Sequence, residues 1–151
     1  MKRIQYFIFA LAISGLVACS TSDSPVLNQA RTMQESLMKE CNLLDSSVTS
    51  KVTVLEGTLI DMSKDTTLNS DTALKAKYVI LKEQYNGLLD AKTRIDNWRI
   101  NMKLLPTPEE IAKGAENPFG KDASDEDVLN AMRSANADFL TLKADLDKIN
   151  Q

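Results

Sequence analysis

The chain has 151 residues, of which 18 are lysine or arginine, 21 are aspartate or glutamate and none is histidine. The absence of histidine excludes catalytic sites of the Ser-His-Asp and Cys-His types and removes the commonest protein ligand for metals. Because the acidic residues are in excess, no basic surface is available to displace counterions from a phosphate backbone, and we expect no nucleic acid partner.

The first 18 residues have the organisation of a secretory signal. Lys2 and Arg3 precede an apolar run over residues 4–13 that only Gln5 interrupts. A membrane-spanning helix needs about 20 apolar residues, so this run is too short for one. We therefore predict a cleaved signal peptide over residues 1–18, with a signal anchor or secretion without lipidation as the alternatives.

The signal ends in Leu16-Val17-Ala18-Cys19-Ser20, which resembles the lipobox of bacterial lipoproteins. The resemblance implies that Leu16, Val17 and Ala18 are recognised by the lipoprotein signal peptidase and that Cys19 carries the lipid. Two or three acyl chains there would form a lasting membrane anchor. A serine directly after the cysteine, here Ser20, resembles the pattern of lipoproteins that are sorted to the outer membrane. The expected location is the bacterial cell envelope, at the outer membrane and facing the periplasm.

Residues 19–24 are mostly small and polar, which predicts a flexible tether ahead of a domain over residues 25–151. Without Lys2 and Arg3, 16 basic and 21 acidic residues give a net charge of −5, so the lipid is the expected membrane contact. Lipidation of Cys19 leaves Cys41 as the lone thiol. Its place on an apolar repeat favours a buried structural role, with a dimer bridge or a reactive site as alternatives.

A first long helix is predicted from Pro25, which suits a first helical turn, to about Lys64. Apolar residues recur there at steps of three and four, as one face of a helix requires. Residues 46–54 are rich in β-branched and hydroxylated side chains, so a bend is expected near residues 46–50. The apolar positions are Ala30, Met33, Leu37, Cys41, Leu44, Val48, Val52, Leu55, Leu59 and Met62.

A second long helix follows the turn cluster of residues 65–70, with Ser70 or Asp71 as its cap. One set of its apolar positions recurs every seven residues, and the second set drifts from Tyr78 and Tyr85 to Ala91 and Trp98, which is the pattern of a nearly straight helix. For the three aromatic residues of this helix, a core role is favoured over an aromatic ligand site. The repeat consists of Leu74, Leu81, Leu88, Ile95 and Met102, and the aromatics are Tyr78, Tyr85 and Trp98.

Residues 105–123 hold three of the four prolines. Thr107-Pro108-Glu109-Glu110 predicts a capping box and a short helix to about Ala115. Asn117-Pro118-Phe119-Gly120 predicts a turn. Phe119, an apolar residue in that turn, is the candidate interaction residue, and the alternative is that it closes the end of the bundle beside Trp98.

A last helix begins at a second capping box, Ser124-Asp125-Glu126-Asp127. With Asp122, these acids lack the ligand spacing of a calcium loop and suit the first turn of a helix, so no metal is predicted. The apolar repeat that follows consists of Val128, Met132, Ala135, Phe139, Leu142, Leu146 and Ile149.

Together the elements predict an all-α fold, an antiparallel three-helix bundle with long helices and an interrupted third pass. At 1.5 Å per residue the first two helices are each about 50 Å long and the last is about 40 Å. We expect the short helix at 107–115 to supply the missing length.

The order of these features resembles a group of small helical lipoproteins of Bacteroidota, some of which are loosely labelled viral A-type inclusion proteins. The matching parts are the lipobox, the Asp65-Thr66-Thr67 turn, the helix over residues 78–88, Trp98 near its end and the closing amphipathic helix. The resemblance implies a helical fold and an envelope address, but no mechanism.

No catalytic or cofactor motif is found in residues 19–151. We therefore expect a non-catalytic, lipid-anchored envelope protein, without cofactor or metal, that serves as a structural helical module or meets another envelope protein. The alternative is a small apolar ligand or lipid in the bundle core, held by aromatic and methionine side chains of the second and last helices, and an enzyme is the third hypothesis. A large apolar pocket would favour the ligand, and a filled core would favour the interaction module.

Overall fold

The computed structural model describes residues 24–149, so the predicted signal peptide, Cys19 and the predicted tether before Ser24 lie outside the described residues. The described part is helical throughout its regular structure and contains no strand. It consists of α1 (Pro25–Lys64), α2 (Thr72–Asn101), α3 (Pro108–Ala112) and α4 (Asp125–Ile149). None of these helices is long and apolar enough to cross a membrane.

Helix α1 is continuous over 40 residues, which confirms the predicted single helix to Lys64. Ser24 caps it by accepting a hydrogen bond from the Leu27 amide at 3.1 Å, and proline follows at the first position. The unfavourable hydroxylated stretch remains helical; the Thr53 hydroxyl there donates to the carbonyl four residues earlier at 3.0 Å. The predicted apolar face is the buried one, at Ala30, Leu37, Cys41 and Val48.

Helix α2 begins at Asp71, whose carboxylate accepts from the amides of Ala73 and Leu74 at 2.8 and 3.0 Å. The second half of its seven-residue repeat is buried, at Leu88, Ile95 and Met102. The Trp98 indole donates to the Ala135 carbonyl at 3.1 Å, and its ring centroid lies 4.9 Å from that of Phe139. Trp98 therefore links α2 to α4.

Helix α3 has the predicted capping box between Thr107 and Glu110 but ends at Ala112, so the expected end near Ala115 is wrong. The cause is Gly114, whose φ of +92° ends the helix. The amides of Gly114 and Ala115 then donate to carbonyls of the last turn at 2.9 Å each, a Schellman motif. All five residues of α3 are exposed, so this helix does not fill out the third pass as expected.

Helix α4 begins with the predicted reciprocal cap: the Asp127 carboxylate accepts from the Ser124 amide at 2.9 Å, and the Ser124 hydroxyl accepts from the Asp127 amide at 3.2 Å. The Ser24 hydroxyl donates to the Asp125 carboxylate, which brings the starts of α1 and α4 together. The predicted apolar repeat is the buried face, and Leu129 joins it at 1% exposure.

Helices α1, α2 and α4 pack against one another in every pairing. Ion pairs mark the register: Lys92 with Asp45 at 3.1 Å, Arg94 with Asp145 at 2.7 Å, and Lys143 with Glu40 at 2.9 Å. These side chains are partly exposed, and such pairs contribute roughly 0–1 kcal/mol each. The buried apolar stripes therefore supply most of the packing energy, and the ion pairs align the helices.

Between α1 and α2 the buried Cys41 thiol lies beside a charged cluster of Asp45, Lys92 and Arg99. Cys41 is 0% exposed, which confirms the predicted buried thiol; burial raises its pKa, and the Arg99 charge opposes the rise. Burial also raises the pKa of Asp45, but hydrogen bonds from Arg99 and Lys92 outweigh it and hold that pKa below its ordinary value. At neutral pH the cluster is fully ionised.

Candidate interaction surface

Helix α4 does not extend as far along the bundle as α1 and α2. Helix α4 ends at Ile149, whose side chain lies 3.2 Å from the position a Cβ would take on Gly87 of α2. Beyond Val48 in α1 and before Leu88 in α2, none of the residues of these two helices is buried. Residues 51–87 thus form a two-helix hairpin that no third helix among residues 24–149 covers, and we call this hairpin the arm.

One side of the arm continues the surface on which α4 packs. On α1, Glu40 pairs with Lys143, and Ser47, seven residues later, borders a groove with the same lysine. The next step of seven reaches Val54, which is 65% exposed. A seven-residue step returns to nearly the same side of a helix, so Val54 lies where α4 would be met if it continued.

Helix α2 repeats this arrangement. Arg94 pairs with Asp145 of α4, and Gly87, seven residues earlier, meets Ile149. A further step of seven reaches Ile80, which is 55% exposed. We call the side of the arm that carries Val54 and Ile80 the open face.

A groove of about 310 Å³ lies at the base of the open face, where α4 ends. Its floor is Leu88, which is 3% exposed, and Ile149 forms the end wall. Leu55 and Val54 add apolar surface, and Lys51 and Gln84 add polar groups. A groove between two helices that is apolar and open to solvent is the geometry that receives another amphipathic helix.

The arm has no net charge, since residues 51–87 contain five lysines and five acidic residues. Its tip, the turn between α1 and α2, is fixed by Asp65, which accepts from the Thr67 hydroxyl at 2.7 Å and the Thr67 amide at 2.8 Å. These two hydrogen bonds hold the pKa of Asp65 below its ordinary value, and the one from the Thr67 hydroxyl has the larger effect. The tip therefore carries a fixed negative charge at neutral pH.

The three aromatic residues of α2 do not come together as a ligand site. Tyr78 and Tyr85 line a groove of about 260 Å³ with Leu59 and Ile60, and Trp98 packs between α2 and α4 instead.

Phe119 is half-buried and packs against the core rather than projecting from its turn. It lines a groove of about 290 Å³ with Met102 and Met132. The Lys103 ammonium lies 5.7 Å from the centre of its ring. Its role as an interaction residue stays a prediction, and its packing resembles the alternative in which it closes the bundle end.

Sequence reasoning missed the arm because the shortfall of the third pass was assigned to residues 107–115. The available signal was length: α1 has 40 residues and α4 has 25, and both start at the same end of the molecule, where Ser24 meets Asp125. The unmatched residues of α1 therefore had to lie at its far end.

The predicted lipidation site and its recognition residues, Leu16, Val17, Ala18 and Cys19, lie outside the described residues. Within residues 24–149, no group of three or more histidine, cysteine, aspartate or glutamate residues could hold a metal ion. Comparison of the chain with protein-family models, with curated proteins and with solved structures finds no significant match.

Proposed function

We propose that this chain is a non-catalytic, lipid-anchored envelope protein that binds another protein through the open face of the arm. The observation that carries this proposal is the exposure of Val54 and Ile80, at 65% and 55%, in register with positions that α4 covers lower in the bundle. Exposed apolar side chains that form a contiguous patch mark a surface that another protein covers, and Val54 on α1 and Ile80 on α2 lie on the same side of the arm.

The architecture that presents this face is an antiparallel three-helix bundle. Two contacts support the α1–α2 direction: Arg31, early in α1, donates to the Pro106 carbonyl just after α2 at 2.6 Å, and Asp45 pairs with Lys92. The Ser24 contact with Asp125 supports a parallel course of α1 and α4. Such an arrangement leaves the far end of α1 and α2 uncovered by the described part of α4.

A second candidate, binding of an apolar ligand in the bundle core, has less support. The side chains considered for such a site pack against each other: Trp98 against Phe139, with Met132 at 1% exposure. The grooves along the bundle open to solvent, which suits a helix better than an enclosed small molecule.

The anchor and the location are supported by the lipobox and by the resemblance to helical lipoproteins of Bacteroidota. Cys19→Ala should abolish labelling with a fatty-acid analogue and block maturation by the lipoprotein signal peptidase. A variant that is still labelled would refute the anchor while leaving the open face untouched.

The interaction surface is tested by site-specific photocrosslinking in cells that express the full chain. A photoreactive residue at position 80 should capture a discrete protein. The matched control is position 140, because Leu140 is 53% exposed and lies on α4 rather than on the arm. Equal capture at both positions, or none at position 80, would contradict the proposal.

A further inference from the structure

We propose that the partner covering the open face is a second copy of this chain, with the two arms packed face to face and antiparallel. This inference rests on the proposed function, since it names the partner of the same surface.

The direction of the pairing follows from where α4 lies. Helix α4 covers the same side of α1 and α2 up to Ile149. A second arm laid on the open face in the parallel sense would carry its own bundle into that helix. In the antiparallel sense its tip points toward Ile149, so each arm supplies the layer that α4 does not reach. The product is a local four-helix bundle with two-fold symmetry.

The charges of α2 match this arrangement. Lys77 lies three residues from Ile80 toward the tip, and Glu83 lies three residues from Ile80 toward the base. A two-fold axis beside Ile80 places Ile80 on its symmetry mate. It also brings Lys77 of each copy to the same height along the helix axis as Glu83 of the other, within reach of a long side chain. Both residues are exposed, so they are available for such pairs.

The charges of α1 follow the same rule. Lys51 lies in the groove at the base, whereas the tip end of α1 carries Asp61, which pairs with Lys64 at 3.4 Å, and the fixed charge of Asp65. An antiparallel mate brings the Asp65 carboxylate of one copy toward Lys51 of the other. Because residues 51–87 carry no net charge, the arm avoids the repulsion that the acidic excess of the whole chain would otherwise add.

The size of the face sets the strength of the contact. Residues 51–64 rise about 20 Å along the helix axis, and two packed helices are about 20 Å wide, so the face covers roughly 400 Å² per copy. A total near 800 Å² lies below the range of stable, specific interfaces, about 1,200–2,000 Å², and therefore predicts a weak, reversible dimer. Attachment of both copies to one membrane would raise their effective concentration and favour it.

The test uses disulfide crosslinking of the full chain in cells. Ile80→Cys should give a dimer band with a mild oxidant, because the two-fold axis places position 80 beside itself. Leu140→Cys is the matched control on α4 and should give no dimer band. The native Cys41 is buried at 0% exposure and is present in both variants, so any crosslinking through it is the same in both.

Charge reversal in the Ile80→Cys background makes the test specific for self-pairing. Lys77→Glu should reduce the crosslink yield on the order of 10-fold, because two attractive pairs become repulsive. Glu83→Lys should do the same, and the double exchange should restore the yield. Circular dichroism of each purified variant checks that exchanges at these exposed positions leave the helices intact.

Failure of the double exchange to restore the band, or absence of a band from Ile80→Cys, would overturn the second copy as partner. Photocrosslinking at position 80 separates the two proposals. Capture of a different protein there would leave the proposed function standing and reject self-pairing, whereas no capture of any kind would reject both.

Discussion

Helix α4 covers the first part of α1 but not the arm, so the same substitution should lower the free energy of unfolding by different amounts at the two places. Leu37 and Leu59 lie on the same apolar stripe; Leu37 is 3% exposed among three helices, and Leu59 is half-buried on the arm. Leucine to alanine removes about three methylene equivalents, worth about 2.4 kcal/mol when fully buried. At Leu37 a residual cavity adds to this, for a total of about 3–4 kcal/mol.

At Leu59 roughly half of the transfer term applies and no closed cavity forms, so Leu59→Ala should cost about 1 kcal/mol. The assay is urea unfolding of the purified protein at a low concentration, which keeps any association out of the measurement. Equal losses for Leu37→Ala and Leu59→Ala would refute the reasoning, because they would require a third helix over the arm.

Three further predictions concern the bundle and its turns. Asp45→Asn should lower the free energy of unfolding by about 1–2 kcal/mol at neutral pH. Because the pKa of Asp45 is lowered in the fold, its stabilising contribution is present above the unfolded pKa of about 3.9 and is lost as the pH falls through the folded pKa. The decrease of stability with falling pH should therefore be shallower in the variant. Trp98→Phe should cost about 1 kcal/mol in chemical unfolding, because the hydrogen bond from the indole to the Ala135 carbonyl is lost while the ring contact is kept. Gly57→Ala should raise the thermal midpoint by gaining up to about 1 kcal/mol, since a Cβ there meets no atom within 4 Å, whereas Gly114→Ala should lower it because its φ of +92° disfavours alanine.

The sequence was sufficient for the helices because their signals are local. The predicted cap residues Asp71, Thr107 and Ser124 act within three positions of themselves, and each caps a helix in the structure, whereas Ser24, which was assigned to the tether, proves to be the cap of α1. The buried faces were predictable for the same reason, since periodicity of three and four places apolar residues on one side.

What the sequence did not reveal is how the helices are offset along one another. The apolar repeat predicts which side of α1 is buried, but it does not predict how far along that side α4 packs. The repeat from Val48 to Met62 continues without change across the point where burial ends. The offset is set by contacts between distant residues, such as Ser24 with Asp125 and Gly87 with Ile149. For that reason the short third pass was assigned to the wrong end.

The most direct test of the arm is backbone hydrogen exchange, resolved by residue, on the protein at a concentration where it sediments as a single monomeric species. Amides of residues 52–62 and 74–86 should open with a clearly lower free energy than those of residues 30–48, 88–98 and 128–146, because only two helices protect them. Uniform protection along α1 and α2 would contradict the account, since it would mean that a third helix covers the open face within one chain.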